Sequence, residues 1–184
     1  MALEFIAEID ANSVDTQHLT FTSIPQTYTS LRIIGVGNTD AALSQGLNGV
    51  FSLEFNNTSG SFGSDSKHAY MRIASDYNGA VTNNEGTFNS NYAECGSMSG
   101  TTPDSGYWPA SYIIDIYNYL GVAANGDVQY FSRSVAATED NDYSHAMYGA
   151  GTYGNGTTPI TALQLNAATG NWLRCSKFSL YGRD

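Results

Sequence analysis

Apolar and polar residues alternate with period two along most of this chain. Residues 2–9 place Leu3, Phe5 and Ala7 on one face and Glu4, Ile6 and Glu8 on the other. Residues 17–24 set Leu19, Phe21 and Ser23 against His18, Thr20 and Thr22. Residues 50–55 set Phe51, Leu53 and Phe55 against Ser52 and Glu54. At 112–119, Tyr112, Ile114 and Ile116 oppose Ile113, Asp115, Tyr117 and Tyr119; near the end, Phe178 and Leu180 oppose Lys177, Ser179 and Tyr181. Successive side chains of a strand point to opposite faces, so the pattern predicts strands with one buried face. Further strands are expected at 30–36, 68–74, 128–135, 144–150 and 160–166.

Turn residues punctuate these runs. Ile24-Pro25-Gln26-Thr27 closes one strand, and Asn56 to Gly63 follows another. Asn83 to Gly86, Ala124 to Asp127 and Gly154 to Gly156 supply Gly or Asn, which accept positive φ. Helical signal is confined to 39–47, where Thr39 would cap and Gly46 would stop one or two turns. Residues 94–109 lack a period and are expected to form a long surface loop. About ten short strands at this spacing predict one all-β domain over 1–184, an antiparallel β-sandwich of jelly-roll-like form. Helix is expected in less than about a fifth of residues, well under the usual share. The core between the sheets should take Phe21, Ile33, Phe51, Leu53 and Phe55, then Ile114, Ile116, Phe178 and Leu180.

Charge narrows the partners. The chain carries 17 acids against seven Lys and Arg, a net charge of −10. Nucleic acid and anionic membrane surfaces need clustered cations, so neither is an expected partner. No apolar run approaches the ~20 residues of a membrane helix. Met1 to Asp10 has no basic start and carries acids at positions 4, 8 and 10, so it is not expected to be an export signal. Two cysteines, Cys95 and Cys175, make no disulfide framework; they could form one bond but are expected to be buried free thiols.

The residues of catalysis are scarce. His18, His68 and His145 have no metal-ligand spacing, so neither a metal nor another cofactor is expected. Ile34-Gly35-Val36-Gly37 begins like a nucleotide loop but lacks the third glycine, and a strand end is expected there. A glycosidase needs two acids across one cleft, ~5–9 Å apart. Glu54, Glu94 and Asp115 are the candidates; Glu94 is expected in a loop, and Glu54 and Asp115 as solvent-facing strand residues. Glu139-Asp140-Asn141-Asp142 lacks the glycine and distal glutamate of a calcium loop and is expected to be a solvated turn. No enzyme is expected. Contact is instead expected through neutral, aromatic surface, with Tyr107, Trp108, Tyr112 and Trp172 as candidate interface anchors.

Three stretches carry a family resemblance. Leu19 to Ile33, LTFTSIPQTYTSLRI, is similar to a "SIP-x-TYT-x-L" pattern of small structural proteins of tailed bacteriophages. Asn48 to Asn56 resembles that family's strand ending in Phe-Asn, and Cys175 to Gly182, CSKFSLYG, resembles its closing "FSLYG". Ser30 stands where the pattern usually has His, and Cys175 where it usually has Gly. The resemblance implies a virion protein, either a capsid decoration or cement subunit or a tail component. With no coiled-coil stem or collagen-like shaft in its 184 residues, the chain is expected to bind a capsid directly. Its partners would be the major capsid protein and itself, as a homotrimer at a symmetry axis. The rival is a tail-associated module that binds a receptor or a host surface glycan, supported by the Tyr, Asn and Trp content of the loops.

Overall fold

The computed structural model describes residues 2–11, 16–40, 49–56, 66–75, 81–90, 93–98, 109–121, 127–138, 143–154, 158–167 and 170–184. These residues form twelve strands and no helix. They are β1 (Leu3–Asp10), β2 (His18–Phe21), β3 (Ser30–Gly37), β4 (Gly49–Phe55), β5 (Ser66–Ser75) and β6 (Val81–Ser90). The rest are β7 (Ala93–Met98), β8 (Ala110–Tyr117), β9 (Val128–Thr138), β10 (Tyr143–Tyr153), β11 (Leu163–Ala167) and β12 (Lys177–Arg183). All pairings are antiparallel. An eight-stranded sheet runs β1-β12-β3-β8-β9-β10-β5-β6, and a four-stranded sheet runs β2-β11-β4-β7. The two pack face to face as a sandwich, with β7 against β9 and β10. Twelve strands are more than the eight of a jelly roll.

All nine predicted core residues are buried, none more than 3 % exposed. The centre is aromatic. Trp172 sits edge-on to Phe51 and Phe178 at 5.8 and 5.2 Å between ring centroids, and Tyr112 stacks on Phe178 at 5.7 Å. Glycines in β3 make room for these rings: a Cβ at Gly37 would lie 2.7 Å from the Trp172 ring, and one at Gly35 would fall on Phe178. The Gly35 and Gly37 spacing therefore belongs to aromatic packing inside a strand, not to a phosphate loop.

Several expectations change. Tyr112 and Trp172 are core residues, 1 % and 0 % exposed, so neither presents an anchor to a partner. Alternation alone cannot tell a ring packed between sheets from one displayed outside, and Trp172 also donates its indole N–H to the Leu165 carbonyl at 3.3 Å. Tyr107 and Trp108 lie outside the described residues, as do 41–47 of the possible helix at 39–47 and the acidic run 139–142; Thr39, the expected cap, bridges to Trp172 instead. Residues 83–86 are not a turn but the interior of β6, and Glu94 belongs to β7 rather than a loop. Tyr119 turns inward: Asn118 takes φ 56° and reverses the chain, and the Tyr119 hydroxyl donates to the Pro25 carbonyl at 2.7 Å. In β1 the register slips between Phe5 and Ala7. This bulge turns Leu3 and Phe5 outward while Ala7 and Ile9 face Leu180 and Phe178. Cys95 is buried, but Cys175 is exposed; both are free thiols.

Candidate interaction face

Large apolar side chains left in solvent are the clearest pointers to contact surface, and here they are segregated. Leu3, Phe5, Ile34 and Val36 are each more than a third exposed, as are Tyr117, Phe131, Val135 and Tyr148. All eight stand on the outer face of the eight-stranded sheet, as register shows. One cross-strand row runs Phe5, Tyr181, Arg32, Asp115, Phe131 and Ala150. The next runs Glu8, Ser179, Ile34, Ile113, Arg133 and Tyr148. A third carries Asp10, Lys177, Val36, Ser111, Val135 and Ala146, and the row on the far side carries Leu3 and Tyr117. Directly opposed residues of an antiparallel pair share a face, so these rows make one surface. Strands β3 and β8 are apolar on both faces, Ile33 beside Ile34 and Ile114 beside Ile113, which is why their solvent side stays hydrophobic.

The charges on this face are largely paired. Arg32 holds Asp115 through two parallel bonds, Nε to Oδ1 at 2.6 Å and Nη2 to Oδ2 at 2.9 Å. These bonds raise the Arg32 pKa above its ordinary value. Lys177 pairs with Glu8 at 2.8 Å, and Ser179 donates to the same carboxylate at 3.2 Å. The hydrogen bond from Lys177 lowers the Glu8 pKa, and the same bond raises that of Lys177. Arg133 has no ion-pair partner among the described residues. It borders a shallow depression of about 180 Å³ walled by Ile113, Val135 and Tyr148. Sequence reasoning missed this surface because it sought Trp and Tyr in loops. The available signal was the consecutive apolar residues of β3 and β8.

The acids expected in solvent are not there. Asp115 is 7 % exposed and Glu54 2 %. They stand on different sheets, so they frame no shared cleft. Glu54 accepts a hydrogen bond from Asn166 Nδ2 at 3.0 Å. Glu94 lies opposite Ser52 in the register of β4 with β7, two positions from Glu54. Among the described residues no group of three or more His, Cys, Asp or Glu is arranged to hold a metal ion, and no helix is long and apolar enough to cross a membrane. No protein-family model, curated protein or solved structure matches this chain.

Proposed function

We propose that this chain is a structural subunit of a tailed-phage virion, a decoration or cement protein on the outer surface of the capsid. The observation that carries the reading is the outer face of the eight-stranded sheet. Eight exposed apolar residues on one continuous surface exceed what scattered surface hydrophobics explain, and such a patch marks an assembly surface. The SIP-x-TYT-x-L and FSLYG resemblance supplies the phage context. In this reading the subunit binds other copies of itself and the major capsid protein by burying neutral surface, with hydrogen bonds at roughly one per 100–200 Å². It performs no reaction. The carboxylates of Glu54 and Asp115 support that part, since each is engaged on its own sheet.

The test is retention on purified capsids at about 1 M salt, where the Debye length falls to about 3 Å. The subunit should stay bound. Wholesale release, or location at the tail alone, would overturn the proposal.

A further inference from the structure

We infer that the outer face of the eight-stranded sheet is closed by a second copy of this chain, on a two-fold axis running along the strands between β3 and β8. The inference rests on the reading of that face as an assembly surface and names its occupant. Three observations carry it.

The first is charge. A chain of net charge −10 repels its own copies unless they meet where the surplus is absent. Among the residues whose side chains are described, the cations Arg32, Arg133, Lys177 and Arg183 stand at outward positions of this sheet. Of its acids, Asp115 and Glu8 are already in ion pairs, and Asp10 stands opposite Lys177 on the edge strand.

The second is area. Six strands, β1 to β10 in sheet order, span roughly 25 Å at about 4.8 Å each, and the four rows span roughly 20 Å. Two such faces cover roughly 1,000 Å², the lower bound for a specific interface.

The third is self-complementarity, which also selects the axis. Rotation about a line between β3 and β8 keeps each row and exchanges its two halves. Ile34 then meets Ile113 of the other copy, and Tyr181 meets Phe131. Arg32 meets Asp115, so two ion pairs become a ring of four alternating charges. Arg133 falls on Ser179 and within reach of Glu8, which gives the unpaired guanidinium a carboxylate. No like charges coincide. An axis between β8 and β9 instead lays Asp115 on Phe131, and one crossing the strands at the Ile113 row lays Arg133 on itself. The twist of each sheet sets the two at about 30°.

Sedimentation of the purified full chain tests this, with folding of every variant checked by circular dichroism. The wild type should sediment as a dimer that dissociates on dilution. Arg133→Glu and Glu8→Arg should each weaken the dimer at least tenfold, and the double exchange should recover most of the loss. A monomer at all concentrations, a trimer, or a double exchange that is merely additive overturns the two-fold. Capsid retention separates this from the broader reading. A monomeric wild type that stays on capsids in high salt refutes the dimer alone, and a dimer absent from particles refutes the virion role alone.

Discussion

The outer faces of the two sheets are inverted relative to ordinary expectation. On the large sheet the outer face is apolar and exposed, with Val135 and Phe5 nearly three-fifths in solvent. On the small sheet it is polar and buried: Ser52, Glu54, Gln164 and Asn166 are all at most 4 % exposed. Strand β11 has no exposed side at all. A covered polar face must find its hydrogen bonds within the chain or from ordered water. Asn166 and Glu54 do so, whereas His18 Nδ1, Gln164 Oε1 and Asn166 Oδ1 have no hydrogen-bond partner among the described residues. An uncovered apolar face must find its partner outside. The comparison teaches that residue type does not say which face of a sheet meets water; what lies over the face decides.

The largest effects belong to the interface between the sheets, against which both outer faces are measured. Phe55 is 3 % exposed and stacks on Tyr153 at 4.9 Å. Phe55→Ala should cost ~3–5 kcal/mol in denaturant unfolding. Phe131→Ala, on the uncovered face, should fall within ~0.5 kcal/mol of wild type while weakening assembly. Equal losses at the two positions would erase the distinction between core and contact surface.

Much of this was legible in the alternation. The nine core residues and ten of the twelve strands were expected, five of the strands from a clear period two, because one-sided burial writes itself directly into sequence. Strands β6 and β7 were not legible. Val81 to Ser90 is polar with Asn-Asn-Glu-Gly at its centre, so local turn chemistry pointed one way and sheet pairing with β5 won. The contact surface was legible only in part. Ile33-Ile34 and Ile113-Ile114 announce strands apolar on both sides, but not which side lacks a cover. Trp172 and Tyr112 misled because large rings suit a core and an interface equally well.

The covered polar face should yield the next largest effect. Asn166→Leu removes the amide that donates to Glu54 and leaves a buried carboxylate with one donor fewer. The cost should be ~1–3 kcal/mol, the desolvation penalty of a buried group that loses its partner. Changing both partners, Glu54→Leu with Asn166→Leu, should cost less than the sum of the single changes, because two apolar residues leave no polar group stranded. Strict additivity in that double-mutant cycle would mean the two side chains do not act as a pair.

The smallest effect should come from the ion pair on the open face, and pH isolates it. Glu8 is solvated, and its pair with Lys177 lies in high dielectric where such pairs contribute little. The direction is still fixed. The Glu8 pKa is lowered in the folded chain, chiefly by the Lys177 hydrogen bond, so the unfolded chain binds the proton more readily. The stabilisation is therefore present above the unfolded carboxylate pKa of about 4.3 and is lost as pH falls through the lower, folded value. Lys177 is raised by the same bond, so its share persists below about pH 10.4 and fades only in stronger alkali. Melting curves of wild type and Glu8→Gln should differ slightly across the neutral range and converge in acid. In 1 M salt the neutral difference should shrink as well, since an exposed pair is screened there. A gap that persists at low pH would place the origin of the effect in packing rather than charge, and the open face would then resemble the covered one more than its exposure suggests.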